Sequence, residues 1–283
     1  MFSPRKMIKY YCGLVSLGNS MTQPALFISH GSPMMAVQQS ATSDFFTSLG
    51  QTLKTPSAIV IFSAHFDIAN DKTTHDIVIT AGNAPQTIHD FYNFPAHMYQ
   101  ILYPAPGEPV LANTIAQRFS TKGIKAVLDA KQGWDHGVWI PLRLMYPAAN
   151  IPIVQVSINT RLGAKAMYEY GQLLAPLRDQ NILIIGSGGI SHNLPEIFKK
   201  PPTPNRVQMV NEFTQWVEKK LITQNTQALL NYLNEAPYAL FNHPTVEHFL
   251  PLFAALGSGN GKAKKIHDDI EMDILALDAY KFY

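Results

Sequence analysis

Three short, unbroken apolar runs constrain this chain more than any other feature: PALFIS (24–29), AIVIFS (58–63) and NILIIG (181–186). Each is too short for an ordinary helix and too uniformly apolar for a half-exposed strand, so each reads as a strand buried on both faces. Longer stretches with apolar residues at helical spacing lie between and after them, at 43–53, 110–119, 164–177, 206–220 and 226–233. Further strands are expected at 77–80, 125–128 and 151–157. That alternation predicts an α/β fold, with a central, largely parallel or mixed sheet flanked by helices on both faces. A last helix is expected over 245–256, and 266–283 reads equally as edge strands or as a helix. The candidate loops at 82–95, 104–109 and 200–204 are too short to be domain linkers, so 21–283 is expected to form one domain.

Composition narrows the function classes. With 46% hydrophobic and 15% charged residues, the chain can bury a core and is not a disordered polyelectrolyte. The net charge of +2 arises at the start of the chain. Arg5, Lys6 and Lys9 fall in the first twenty residues, which hold no acid, and the other 19 Lys and Arg nearly balance the 20 acids. No basic face therefore argues for nucleic acid or an anionic membrane, and no run approaches the ~18 apolar residues of a membrane span. Cys12 is the single cysteine, which excludes an intramolecular disulfide and fits a reducing, cytoplasmic setting. Residues 1–20 pair basic residues with a short apolar stretch, as a weak secretion signal would, but lack a clean small-x-small cleavage site. They read better as an upstream start or an unstructured extension.

Ligands of open α/β sheets bind at the carboxyl ends of the strands, and histidine recurs there. PALFIS runs into His30-Gly31-Ser32-Pro33, AIVIFS into Ala64-His65-Phe66, and NILIIG into Ser187-Gly188-Gly189-Ile190-Ser191-His192. Gly133-Trp134-Asp135-His136-Gly137-Val138-Trp139 follows the strand near Val127. Histidines at equivalent strand ends converge in space although they are far apart in sequence. Neutral imidazole is a ligand for zinc and for iron, and a catalytic metal with an open position needs about three protein ligands. The third would come from elsewhere, and the segment 242–252 offers His243, Glu247 and His248. If Thr245 caps the helix, Glu247 and His248 fall in its first turns, where neighbours point about 100° apart and cannot face one metal equally. His75, His89, His97 and His267 read as structural or solvated. The GSGG run lacks the lysine and spacing of a P-loop, and no G-x-S-x-G elbow is present.

Together, HGSP at His30, SAHF at His65, WDHGVW at His136, GSGGISHNL at His192 and HPTVEHFLPLFAALG from His243 resemble the class III extradiol ring-cleaving dioxygenases, most of all the 4,5-DOPA dioxygenase branch. The resemblance covers essentially all of 21–283, with the motifs in the family's order. It implies a non-haem metal site that uses Fe(II) for activity and that Zn(II) can also occupy. His30 and His65 match the two histidine ligands. His248, nine residues before Gly257, stands where relatives place a glutamate, which implies a three-histidine site with Glu247 or His243 as the alternative third ligand. His192 matches the acid–base histidine and could also complete the metal shell. His136 is expected to orient substrate or oxygen, Trp134 and Trp139 to wall the substrate, and His243 to sit behind the ligands on the substrate side. The implied reaction inserts O2 into a catechol such as L-DOPA, whose 4,5-cleavage gives seco-DOPA, with no partner beyond the substrate, O2 and copies of the chain in a monomer or small homo-oligomer. The rival readings are a zinc hydrolase built on the same histidines and a non-enzymatic member of the fold.

Overall fold

Buried strands carry the architecture. In the computed structural model, which describes residues 22–69 and 74–283, they are β1 (Ala25–Ser29), β2 (Ala58–Asp67), β3 (Ile77–Thr80), β4 (Ala126–Asp129), β5 (Ile153–Ile158) and β6 (Ile182–Gly188). β7 (Ala263–His267), β8 (Ile270–Glu271), β9 (Leu275–Ala276) and β10 (Ala279–Phe282) follow near the end of the chain. Eight of them form one sheet in the order β4-β3-β5-β2-β6-β1-β10-β7, and β8 and β9 pair apart from it. The centre, β5-β2-β6-β1, is parallel. Antiparallel joins attach β3 to β5 on one side and β10 to β1 on the other. The tail left open between helix and strand is thus strand, with β10 inside the sheet and β7 at its edge.

The helices are α1 (Ala41–Thr52), α2 (Pro109–Ser120), α3 (His136–Met145), α4 (Gly163–Leu174), α5 (Leu194–Phe198), α6 (Arg206–Ile222), α7 (Thr226–Leu230), α8 (Tyr232–Glu235), α9 (Ala239–Asn242) and α10 (Leu250–Ser258). They flank the sheet as expected, giving a single α/β domain. α10 packs on α4 at unusually short range, because Gly171 and Gly257 leave room for backbone: a Cβ at either would lie 2.0–2.1 Å from a carbonyl oxygen of the other helix. Among the described residues no helix is long and apolar enough to cross a membrane. The expected extension at 1–20, with Cys12, lies outside the described residues.

Several boundaries differ from expectation for identifiable reasons. β2 does not stop at Ser63 but runs on to Asp67, so His65 lies within the strand. Its pairing with β6 ends at Ser63, and its pairing with β5 jumps from Phe62 to Asp67, a bulge that frees 64–66 from the ladder. The helix expected over 245–256 begins only at Leu250, which puts Pro251 in its first turn, where the missing N–H costs nothing. Thr245 is therefore not a cap, and Glu247 and His248 stand in the turns before the helix. α3 was not foreseen, since Gly137 and an internal Pro141 both argue against a helix there.

Candidate metal centre

The carboxyl ends of β1, β2 and β6 deliver the first groups. His30 follows β1 and its N–H donates to the Gly188 carbonyl at 3.0 Å. His65 is turned out of the β2 ladder by the bulge. His136 opens α3, and His192 follows β6. His248 is brought in by backbone contact. Gly188 pairs with Ser29 in the sheet, and a Cβ on it would stand 2.1 Å from the His248 carbonyl oxygen. Only glycine there admits the 248 segment, and the Gly189 N–H fixes it by donating to the His248 carbonyl at 2.9 Å.

All five imidazoles line one cavity of about 500 Å³. His30 Nε2 and His65 Nε2 are 3.0 Å apart. The His248 ring centre is 5.4 Å from that of His30 and 5.0 Å from that of His65. Ligand atoms of His30, His65 and His136 lie within 4.8 Å of one another, and so do those of His192, Glu247 and His248. The expected trio of His30, His65 and His248 thus straddles two tight groups. Burial first, and then mutual repulsion, lowers the pKa of His30, His65 and His248 well below that of free histidine, so all three are neutral and keep a lone pair. His192 is lowered to about 4, by burial and then by His136. It is a free base at neutral pH, further from neutrality than an acid–base histidine is expected to be.

Hydrogen bonding assigns the tautomers. The Ser187 hydroxyl donates to the Gly137 carbonyl at 2.5 Å, so toward His30 Nδ1, 3.0 Å away, it can only accept. His30 therefore carries its hydrogen on Nδ1 and presents a bare Nε2. His248 Nδ1 donates to Glu247 Oε1 at 3.0 Å, with the Thr245 hydroxyl donating to the same oxygen. Asp90 faces two rings, with Oδ2 3.4 Å from His65 Nδ1 and Oδ1 3.0 Å from His136 Nδ1, and also accepts the His136 backbone N–H at 2.9 Å. Burial would raise the Asp90 pKa, but His136 and His65 outweigh it and the carboxylate stays ionised.

The donor set fits a metal on two counts. His248 Nε2 is buried and has no hydrogen-bond partner, an arrangement that is costly unless something else satisfies the lone pair. His30 Nε2 and His65 Nε2 also converge to 3.0 Å of each other. Two imidazole nitrogens that share one ion, each about 2.1 Å from it, stand about 3 to 3.4 Å apart.

Other expected site residues fall elsewhere. Trp134 does not wall the cavity: it is wholly buried, its indole N–H donates to the Ala105 carbonyl at 3.1 Å, and a backbone bridge to Thr87 turns it into the core. Trp139 is likewise buried, donating to the Ile88 carbonyl. His243 does not reach substrate space either, because the ring is buried behind the site with Nε2 2.8 Å from the Ile190 carbonyl. Burial drives its pKa down to about 3. Glu247 serves as the partner of His248 Nδ1. His89, His97 and His267 lie off the cavity, and His267 stacks on Phe45. The aromatic walls come from Phe91, Tyr92 and Phe94 of the loop before α2 and from Phe198 of α5. Asp90 and Ser187 were not foreseen. The one sequence signal for Asp90 is a carboxylate inside an aromatic loop, His89-Asp90-Phe91-Tyr92.

Comparison with known proteins bears on this geometry. Residues 24–282 match the family described as the catalytic LigB subunit of aromatic ring-opening dioxygenase. The 4,5-DOPA dioxygenase extradiol of Beta vulgaris is 40% identical over 262 residues, 90% of this chain and 95% of that protein. The protein of the same name from Escherichia coli is 38% identical over 86% of this chain and 88% of its own length. The crystal structure of an uncharacterised Escherichia coli protein, 33% identical, superposes with a TM-score of 0.75 over 92% of this chain and all of that one. With the family matched along almost its whole length, this chain belongs to the LigB family of aromatic ring-opening dioxygenases.

Proposed function

We propose that this enzyme cleaves a catechol ring beside its diol, with Fe(II) held by His30, His65 and His248, and that 21–283 is its catalytic domain. The observation that carries the ligand set is the buried, unpartnered Nε2 of His248 in the cavity where His30 Nε2 and His65 Nε2 converge to 3.0 Å. Zn(II) fits the same all-imidazole donors. When bound, the metal supplies the redox chemistry and the coordination of diol and O2. His192, neutral and on the cavity wall, accepts a proton from the catechol hydroxyl and later returns one. In the absence of substrate it can also close the metal shell. His136, held by Asp90, orients the bound reactants. Both oxygen atoms of O2 enter the product as one ring carbon–carbon bond breaks. The catalytic partners are thus a small catechol and O2. The single cysteine favours a cytoplasmic setting, and a monomer or small homo-oligomer suffices for the chemistry.

The relatives' name makes L-DOPA the first substrate to test, with a seco-DOPA product that cyclises unaided. Both named relatives are dioxygenases, which leaves the zinc-hydrolase alternative without support. The protein would be stripped of metal, reloaded anaerobically with Fe(II), and followed for O2 uptake with L-DOPA, protocatechuate and catechol. Uptake with a yellow ring-opened product, abolished in His30→Ala and reduced about 10²-fold or more in His192→Ala, is expected. Iron-loaded protein that consumes no O2 with any of them would sink the reading.

A further inference from the structure

The cavity has a buried end and an exposed mouth. His30, His136 and His248 at the metal end are buried, whereas Tyr92, Phe198 and Met272 of the same lining are exposed, Met272 by 57%. A catechol whose diol lies at the metal end therefore turns its ring substituent toward the mouth. Met272 stands there on the turn 272–274 between β8 and β9, closed by the Ile274 N–H donating to the Glu271 carbonyl at 3.2 Å. The backbone of this turn is unusual. φ is 54° at Met272 and 63° at Asp273, a left-handed pair for which Asn-Gly or Asp-Gly is the common sequence. Aspartate tolerates that region, but a long apolar side chain is strained in it. Among the described non-glycine residues at positive φ, only Met272 lines the cavity.

The turn is held from two sides. Outside, Arg206 at the start of α6 pairs with Asp273 at 2.9 Å. Inside, the buried Ser191 hydroxyl donates to the Ile274 carbonyl at 2.7 Å, which ties the turn to the segment that carries His192. Backbone strain persists where surrounding structure over-determines it, and such places gather at ligand sites. Glycine or asparagine would adopt the same turn with less strain, so the side chain of Met272, rather than the turn, is what calls for methionine. Being more than half exposed, that side chain adds little to the core, and the cavity's occupant is what it can cover. We propose that Met272 is a specificity-determining residue, whose unbranched thioether chain closes over the ring substituent of the bound catechol at the end away from the metal. This rests on the ring-cleavage reading above. It holds for charged and neutral substituents alike, because the contact is to the carbons that join the substituent to the ring.

Iron-reloaded wild type, Met272→Gly and Met272→Leu would be assayed by O2 uptake on L-DOPA, dopamine and dihydroxyphenylpropionate, with catechol as the unsubstituted reference. Met272→Gly is expected to raise KM about 5- to 10-fold for each substituted catechol that wild type cleaves, with kcat kept within about twofold. Its KM for catechol should move less than about twofold, since no substituent is there to be covered. Met272→Leu keeps the apolar bulk and should stay within about threefold of wild type throughout. Thermal unfolding separates this role from a structural one. Met272→Gly should unfold within about 2 °C of wild type or above it, because relief of the left-handed strain offsets the added freedom of the unfolded chain. An unchanged KM in Met272→Gly, or a fall in kcat shared by catechol and the substituted compounds, would overturn the inference and leave ring cleavage standing. So would a larger loss of thermal stability, which would make Met272 a residue of the fold, or wild type that cleaves catechol and none of the other three. No uptake by wild type with any of the four would remove the ring-cleavage reading, and the inference with it.

Discussion

Two groups of side chains meet at this centre, and they are held differently. His30, His65 and His136 stand on regular structure: a strand end, a strand bulge and the first residue of a helix. Their outer nitrogens face Ser187 and the shared Asp90, and the His65 and His136 rings are tilted by 46° with centres 3.8 Å apart. His192 and His248 stand on connecting turns and stack nearly parallel, 8° apart with ring centres 3.4 Å apart. Of that pair His248 is tethered through Nδ1 to Glu247, while the His192 ring makes no hydrogen bond among the described residues. A ligand must hold one direction, whereas a proton carrier must meet substrate with a free nitrogen. The difference teaches that the second group mixes both tasks, a tethered imidazole beside a free one, and that the first supplies a fixed frame.

The largest expected effect tests whether the metal belongs to one group or spans both. His248→Ala should weaken Co(II) or Fe(II) binding, measured by chelator competition, by more than the roughly 10- to 100-fold typical of losing a supporting partner. His136→Ala should stay within about fivefold in affinity while kcat falls. The opposite ranking would confine the metal to the His30, His65 and His136 group and break the comparison.

The frame was far more legible in sequence than the tethers. Continuous runs such as AIVIFS announce a buried strand locally, and the histidine that follows inherits its position from the sheet. Glu247, by contrast, was visible as a residue but not in its role, because placing 247 and 248 in turns depends on where Pro251 starts α10. Asp90 carries only the weak signal of a carboxylate inside an aromatic loop and Ser187 carries none, since what matters is which ring each meets through space. Trp134 misled because a tryptophan in the core and one in a cavity wall look alike until its N–H finds a partner, here the Ala105 carbonyl.

Acid should destabilise the stacked pair and the imidazole buried behind it. His192 and His243 fall to about 4 and about 3 in the folded protein, both through burial, against about 6.5 in the unfolded chain. Between those values the unfolded state binds protons that the native state refuses, so stability is full above pH 6.5 and is lost as pH falls toward 4. Each of the two accounts for on the order of 2 kcal/mol between pH 7 and pH 5. Urea unfolding of metal-free protein across that range measures the loss, and His243→Gln should flatten the slope by about one proton. An unchanged slope in that variant would mean that His243 titrates normally.

A further test concerns the tethers themselves. Asp90→Asn and Glu247→Gln remove a carboxylate behind His65 and His248 but keep an oxygen that can still accept from Nδ1, so a lost charge is the main change. Each should weaken metal affinity about 10- to 100-fold, because a nearby anion raises the basicity of the imidazole it supports. Ser187→Ala removes a neutral partner instead. It frees His30 Nδ1 from a hydroxyl whose proton is committed to Gly137, and the ring keeps its place between β1 and the cavity, so a loss of no more than about tenfold is expected. Chelator competition with Co(II) reads all three on one scale. Two carboxylates more costly than the hydroxyl would mean that the tethers act by charge, restoring at one remove the anion that a three-histidine site lacks. Equal losses across the three would mean that the tethers act by direction alone, and that the frame and the stacked pair differ in geometry but not in electrostatics.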